Sequence, residues 1–241
     1  KDRDESVYGV IQAINKINGT FTENDEEFLG LFSNHIGKIL KNAKSKDENL
    51  SYISKLKNVI SLKNNLISIK SLKDFSYLIE NSVMDIFSVE YCNIFFFNEM
   101  NNNLLKFGKY ENYERTLNIG IIGHVFFSKV FYGINSIDTC DIYNNLIDIE
   151  TGMGILTYPI IKKRKRSCNT EENENDNDNK DEVVKGVLQF CYNEKLNYLK
   201  KPKENDEIII KYILEEIENW FENNENLIDF FSRENNFKYS K

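Results

Sequence analysis

The chain has 241 residues, of which 41% are hydrophobic and 29% are charged, and its formal net charge is −7. This length suits one domain and part of another, and this composition supports a buried core. No stretch is long and apolar enough to span a bilayer, and no basic face with interleaved aromatic residues indicates nucleic-acid binding. We therefore expect a cytoplasmic globular protein with neither a membrane nor a nucleic acid as its partner.

Catalytic and metal-binding chemistry is sparse in this sequence. The two histidines, His35 and His124, stand far apart, and no catalytic triad or phosphate loop is evident. The four cysteines are too widely spaced for a zinc or redox motif, so free thiols are expected. The sequence therefore predicts no catalytic residues and no metal site.

One strand–loop–helix pattern occurs twice along the chain. Gly9-Val10-Ile11-Gln12 precedes Glu23-Asn24-Asp25-Glu26, and Gly186-Val187-Leu188-Gln189 precedes Glu204-Asn205-Asp206-Glu207. Each copy opens with a short apolar run and enters a helix-period pattern after a polar loop. Because the first copy begins almost at residue 1, we expect a fragment that cuts through one module and continues into a whole second one.

Residues 1–45 are predicted to be the C-terminal strand and helix of that first, truncated module. The β-branched run Val7 to Asn15 predicts a strand, and Thr22 with Asp25 three residues later predicts a capped helix start. The helix is predicted from apolar residues at helical spacing, namely Phe28, Leu29, Leu31, Phe32, Ile36, Ile39 and Leu40. An ion pair between Lys16 and Asp25 is expected to join the strand to this helix.

Residues 46–69 are predicted to form a long connecting helix. Ile53, Leu56, Ile60 and Ile67 follow the a and d positions of a heptad, with Lys63 interrupting the pattern. This spacing favours a homodimer in which two copies of the helix pair in parallel. The alternative is a helix that lies on the second module's own sheet.

Residues 70–222 are predicted to be a complete α+β domain with an antiparallel sheet of about six strands flanked by helices. Residues 223–241 would be a tail or a helix start. The predicted helices are 72–87, 123–129 and 204–222, and the predicted strands are 91–98, 104–110, 114–119, 131–135, 155–162 and 183–192.

A charged segment, 163–183, interrupts the second domain between its last two predicted strands. A basic run, 162–166, precedes many acidic residues, and apolar residues are too few to stabilise an ordered structure. We therefore predict a disordered insertion. A nuclear-import or phosphate-binding role for the basic run is disfavoured because the neighbouring acidic residues can neutralise it.

The motifs of both copies resemble GAF domains. In the first copy, Asn15-Lys16, Phe21 and Asp25-Glu26 have the spacing of the motif found in GAF domains of cyclic nucleotide phosphodiesterases and some adenylyl cyclases. In the second, Gly120-Ile121-Ile122-Gly123-His124-Val125 resembles the family's Gly-Ile-x-Gly-x-Val helix start, and Thr151-Gly152 followed by 155–160 resembles a later strand. The resemblance implies a tandem GAF regulatory region, with its truncated first domain in 1–45 and its second in 70–222.

The resemblance also implies a binding site for a small molecule such as cyclic AMP or cyclic GMP. By position, Asn93 would meet the base, and the backbone N–H groups of Ile121 and Ile122 would approach the phosphate. Thr151 would supply a hydroxyl, and Gln189 would supply a polar side chain on the last central strand.

Three functions are open at this point. The first is a non-catalytic regulatory module that senses a small molecule, dimerises, or does both, and so controls an attached output domain. The second is a ligand-free dimerisation scaffold, whose pocket would be filled by large side chains such as Phe95, Phe97 or Phe107. The third and most remote is an enzyme that resembles free methionine sulfoxide reductases, which use cysteines near the pocket.

Overall fold

The structure is a computed structural model that describes residues 7, 9–17, 19–108, 112–163, 182–196 and 201–224. The chain divides into two compact units, Lys1–Ser54 and Lys55–Lys241. Most of the predicted charged insertion, residues 164–181, lies outside the described residues. So does most of the predicted C-terminal tail, residues 225–241.

In the first unit, the start of helix α1 (Glu23–Leu66) is fixed by a capping box. The Thr22 N–H donates to Asp25 Oδ2 at 2.8 Å, and the Asp25 N–H donates to Thr22 Oγ1 at 3.4 Å. Lys16 Nζ also forms an ion pair with the Asp25 carboxylate. These contacts lower the pKa of Asp25 to about 2, with the hydrogen bond from Lys16 as the largest cause.

The other motif residues of this unit are exposed. Asn15 has a positive φ of 59°, and the side chain of Phe21 is 49% exposed. Glu26 lies in the first turn of α1, where its backbone N–H donates to Thr22 O at 3.1 Å. In the described chain, this motif therefore acts as a local helix start.

The predicted strand from Val7 to Asn15 is wrong for the residues that the structure describes there. None of them is in a strand, and Val10 and Ile14 are 88% and 66% exposed. An extended segment gains its ladder hydrogen bonds from a neighbouring strand, and none of the described residues of this unit forms one. The β-branched composition alone is therefore not sufficient to form a strand here.

The helix predicted in 1–45 and the connecting helix predicted in 46–69 are one continuous helix, because α1 runs unbroken from Glu23 to Leu66 through residues 43–49. These residues are polar, but none of them is Gly or Pro. Polar residues such as Lys and Glu tolerate a helix interior well, whereas Gly and Pro interrupt it. The polar stretch therefore changes the surface of the helix without ending it.

The second unit contains one six-stranded antiparallel sheet, with strand order β3-β2-β1-β6-β5-β4. The strands are β1 (Cys92–Asn98), β2 (Asn103–Phe107), β3 (Asn112–Thr116), β4 (Tyr132–Ile134), β5 (Gly154–Lys163) and β6 (Glu182–Tyr192). The predicted α+β class and antiparallel sheet are confirmed.

Helices cover both faces of this sheet. They are α2 (Leu72–Phe87), α3 (Gly120–Ser128) and α4 (Glu204–Asn223), and a short 3-10 helix spans Ile137–Thr139. On one face, Phe75 of α2 stacks on Trp220 of α4 with ring centroids 4.0 Å apart. Phe96 of β1 points to that face, whereas its neighbour Phe95 packs with α3 on the opposite face.

The last turns of α1 belong to this second unit and pack within it. Val59, Leu62 and Leu66 are at most 7% exposed. Lys55 Nζ lies 2.5 Å from Asp206 Oδ1, and Lys63 Nζ lies 2.7 Å from Glu216 Oε1, so both lysines pair with α4. The C-terminal part of α1 therefore contacts α4 of its own module.

None of the helices in the described part of the chain combines the length and the apolar composition needed to cross a membrane.

Candidate ligand site between the sheet and helix α3

The start of α3 depends on two close approaches that only glycine permits. Gly120 has a φ of +73°, and a Cβ atom there would lie 2.5 Å from Asp148 Oδ2. A Cβ atom on Gly123 would lie 2.2 Å from the carbonyl oxygen of Leu117. The two glycines of the Gly-Ile-Ile-Gly motif thus bring the first turn of α3 against Asp148 and Leu117.

The carboxylate of Asp148 accepts four hydrogen bonds at this helix start. The Ile121 N–H donates to Oδ2 at 2.9 Å, and the Ile122 N–H donates to Oδ1 at 3.2 Å. The Asn144 N–H donates to Oδ2 at 2.9 Å, and the side-chain amide of Gln189 donates to Oδ1 at 3.0 Å. Asp148 is only 6% exposed, so its charge is stabilised by these donors and by the helix dipole.

A row of polar side chains crosses the three central strands beneath Asp148. Gln189 of β6 is paired in register with Asn93 of β1 and with Thr157 of β5. The Gln189 amide group donates to Thr157 Oγ1 at 3.2 Å, and its oxygen accepts from the Ile149 N–H at 2.9 Å. Gln189 and Thr157 are both fully buried, and each has a hydrogen-bond partner inside the fold.

Apolar side chains fill the rest of the space between the sheet and α3. Phe95 is 2% exposed within this cluster, and Phe97 packs against it. Phe107 instead contacts Phe96 on the opposite face, with ring centroids 5.7 Å apart. The buried members of the cluster are Phe95, Leu104, Leu117, Ile121, Ile122, Val125, Ile134, Ile147, Ile155 and Val187.

At the β2 side of the site, Lys106 Nζ donates a hydrogen bond to Asn93 Oδ1. Nearby, Glu80 of α2 accepts from the Ile94 N–H at 3.1 Å. Burial raises the pKa of Glu80 to about 7, although the Ile94 hydrogen bond and the charge of Lys106 oppose this. Burial also lowers the pKa of Lys106, an effect that the Glu80 charge opposes.

The structure therefore groups only some of the predicted ligand-binding residues. Ile121, Ile122 and Gln189 meet around Asp148, and Asn93 is the strand neighbour of Gln189. Thr151 is half-buried, and its hydroxyl accepts from the Met153 N–H at 3.1 Å in a local turn.

Sequence reasoning missed Asp148, which is the centre of the polar group. Its signal was an acidic residue between two isoleucines, Ile147 and Ile149, ahead of a predicted strand. Both isoleucines are buried, and Asp148 between them is buried as well. Asn144 and Thr157 were missed as well, because a backbone donor and a strand hydroxyl carry no distinctive sequence signal.

At the start of α3, the donors that the resemblance assigns to a cyclic nucleotide already have an acceptor inside the fold. The backbone N–H groups that the resemblance assigns to a phosphate are bonded to Asp148, and a second anion there would meet a buried carboxylate. The space above the sheet is packed with the apolar cluster.

Two of the three described thiols are poorly suited to nucleophilic chemistry. Cys92, Cys140 and Cys191 are free, and Cys92 and Cys191 are buried. Burial raises the pKa of Cys92 well above its usual range and also raises the pKa of Cys191. Because the thiolate is the nucleophile, the raised pKa values disfavour nucleophilic attack by these two sulfur atoms at neutral pH.

An open cleft of about 850 Å³ lies on the outer side of α3. Its lining includes His124, Phe127, Ile142, Tyr143 and Asn144. His124 is exposed here and makes an edge contact with Tyr132, with ring centroids 5.2 Å apart. Gly120 also lines this cleft, so the cleft borders the start of α3, where Gly120 and Asn144 contact Asp148.

Solved structures with similar folds include two GAF domains and one enzyme. The GAF domain from an Acinetobacter phosphoenolpyruvate-protein phosphotransferase is 15% identical, with a TM-score of 0.51 over 72% of this chain and 96% of that chain. The nlh2 GAF domain of A. aeolicus in an inactive state is 15% identical, with a TM-score of 0.52 over 71% and 98%. Free methionine-R-sulfoxide reductase from Neisseria meningitidis in complex with its substrate is 9% identical, with a TM-score of 0.50 over 73% and 92%.

No protein-family model matches the sequence, and no curated protein does either. At these identities, the structural likenesses show the fold alone. The described chain therefore has a GAF-like fold, as the motifs predicted. The tandem arrangement and the particular likeness to cyclic nucleotide phosphodiesterases stay predictions.

Proposed function

We propose that this chain is a non-catalytic regulatory GAF module that acts as a ligand-free dimerisation scaffold for an attached output domain. The observation that carries the proposal is the state of the candidate site. Its polar groups bond to one another around Asp148, and large side chains including Phe95 fill the space above the sheet. This is the feature that distinguishes a scaffold from a sensor. The same proposal places the module in the cytoplasm, where its free thiols would persist.

Helix α1 supplies the proposed contact between two copies. Ile53 and Ile60 are seven residues apart in the sequence, and they are 47% and 60% exposed. Exposed β-branched residues at heptad spacing are typical of a parallel two-stranded coiled coil. The domain division that we predict would make this the connecting helix of a tandem region.

Light scattering coupled to size-exclusion chromatography tests the contact. We expect the wild-type chain to elute as a dimer and the double variant Ile53→Glu/Ile60→Glu as a monomer, because charges at the seam repel and remain solvated. Asn58→Glu is the matched control, since Asn58 is exposed and lies opposite the proposed seam in the heptad. A wild-type monomer at all accessible concentrations would contradict the scaffold.

The sensor alternative predicts that a nucleotide stabilises the folded chain. We expect neither cyclic AMP nor cyclic GMP at millimolar concentration to raise the Tm. A saturable rise that Thr151→Ala abolishes would instead support a nucleotide sensor. A rise that Thr151→Ala leaves intact and His124→Ala abolishes would place the ligand in the outer cleft.

The enzyme alternative rests on the likeness to the methionine sulfoxide reductase structure. We expect no cysteine-dependent turnover of free methionine sulfoxide, because Cys92 and Cys191 are buried and have raised pKa values. Turnover that Cys140→Ser or Cys191→Ser removes would overturn the non-catalytic assignment.

A further inference from the structure

Helix α3 has no cap of its own. Its N-cap residue is Ile119, whose side chain cannot accept a hydrogen bond, so the first N–H groups of the helix need an acceptor from elsewhere. Asp148 supplies that acceptor although it lies 27 residues from Ile121 in the sequence. The N–H groups at a helix start commonly bind a free anion. Here the same kind of N–H groups bind a carboxylate that is covalently part of the chain.

We propose that Asp148 is a built-in substitute for a bound anion and that it permanently occupies the anion position at the start of α3. The inference rests on the proposed ligand-free function and gives its physical cause. A cyclic nucleotide whose phosphate approached the start of α3 would meet this internal carboxylate.

The donor set around Asp148 supports this assignment. Both oxygens are used, and each accepts two N–H groups at 2.9 to 3.2 Å. All four donors are neutral, and the group is almost wholly buried. Without the carboxylate, several of these donors would be buried and unpaired, which is the costly state for a polar group.

The donors also come from three different segments. Ile121 and Ile122 belong to α3, Asn144 belongs to the connection before β5, and Gln189 belongs to β6. One carboxylate thus ties a helix, a loop and the central sheet together. A diffusible anion would join these segments only when bound, whereas a tethered one has a very high effective concentration and joins them at all times.

Chemical rescue tests the proposal. Asp148→Ala removes the carboxylate and leaves space of about its size, and we expect its Tm in chloride to fall by about 5–10 °C. Sodium formate should then raise the Tm of Asp148→Ala saturably, relative to sodium chloride at the same ionic strength. It should not do so for the wild-type chain. Formamide, which has a similar shape and no charge, should not restore the Tm.

Two further variants keep the test decisive. Asp74→Ala removes an exposed carboxylate at the start of α2, and formate should not restore its Tm. If Asp148→Ala does not fold in chloride, its refolding in formate is measured, and Asp148→Ser provides a milder loss. The proposal would be overturned if formate and chloride raised the Tm of Asp148→Ala equally. It would also be overturned if neither Asp148→Ala nor Asp148→Ser had a lower Tm than the wild-type chain.

The result is independent of self-association. Formate-specific rescue with a monomeric wild-type chain would support the internal anion and reject the dimerisation scaffold. A dimeric wild-type chain whose Asp148→Ala variant shows no formate-specific rise in Tm would support the dimerisation scaffold and reject the internal anion.

Discussion

Gly120 combines a positive φ with direct contact to the Asp148 carboxylate. We expect Gly120→Ala to lower the free energy of unfolding by about 1–3 kcal/mol, because the added Cβ is strained at this φ and lies 2.5 Å from Asp148 Oδ2. Urea denaturation measures the change. Gly152→Ala is the matched control, since a Cβ atom there meets nothing within 4 Å. Equal effects of the two variants would contradict a special role for Gly120.

Glu80 makes stability depend on pH. Its pKa is raised from 4.5 to about 7, so the folded state keeps a proton that the unfolded state releases between these values. Stability should therefore fall as pH rises from about 4.5 to 7, by an amount on the order of 2–3 kcal/mol.

The variant Glu80→Gln isolates this effect, because its side chain stays neutral and its oxygen can still accept from the Ile94 N–H. The wild-type chain should lose stability relative to Glu80→Gln as the pH rises through this window. The same exchange at the exposed Glu90 serves as the control. A pH-independent difference between the wild-type chain and Glu80→Gln would show that the buried carboxyl does not titrate there.

The sequence predicted the site in part at this scale. Ile121, Ile122 and Gln189 were assigned by position from the resemblance to GAF domains, and the structure brings them together around Asp148. Asp148 could not be assigned a partner, since its four hydrogen bonds depend on segments that only the folded chain brings together. Lys106 and Glu80 were missed for the same reason, because isolated charges on a strand and a helix are usually solvated.

At the scale of elements, the end of α1 is attached to α4 through a buried polar group. Asp206 is 5% exposed and bonds both Lys55 Nζ at 2.5 Å and the Tyr192 hydroxyl at 2.9 Å. We expect Asp206→Ala to cost about 2–4 kcal/mol, because it leaves the half-buried Lys55 ammonium group and the buried Tyr192 hydroxyl without their acceptor.

Chemical denaturation gives the free energy, and protease cleavage near residue 55 reports on local release of α1. Lys63→Ala provides the contrast, since Lys63 is 59% exposed in its ion pair with Glu216 and its loss should cost less than about 1 kcal/mol. Equal losses of stability and equal cleavage in Asp206→Ala and Lys63→Ala would show that the buried Asp206 carboxylate does not hold the end of α1 in place.

Most elements were predictable because their signals are local. The strands β1, β5 and β6 and the helices α2 and α4 were each predicted to within a few residues. The errors arose where the outcome depends on context. The described residues of 7–15 have strand composition but no partner strand, and residues 43–49 are polar but join two predicted helices into one.

At the scale of the whole chain, β5 and β6 form a hairpin whose paired ends are Lys163 and Glu182. The eighteen residues 164–181 connect two positions that are already paired. We expect replacement of 164–181 by Asn-Gly to retain the fold and raise stability by about 1–2 kcal/mol, because closing a shorter loop costs less entropy.

Thermal and urea denaturation test this replacement. A chain with residues 164–181 in scrambled order keeps the length and composition, and its stability should equal that of the wild-type chain. A replacement that is less stable or misfolded would mean that residues 164–181 contribute contacts of their own.

The central pairing of the sheet joins strands that are far apart in the sequence. Cys92 of β1 pairs with Phe190 of β6, about 100 residues later. During synthesis, β1 therefore leaves the ribosome long before its central neighbour exists, and its edge stays open until almost the whole domain has been made. Ribosome-bound chains that end before residue 182 should be the most dependent on chaperones, and release of β6 should be the step at which the domain folds.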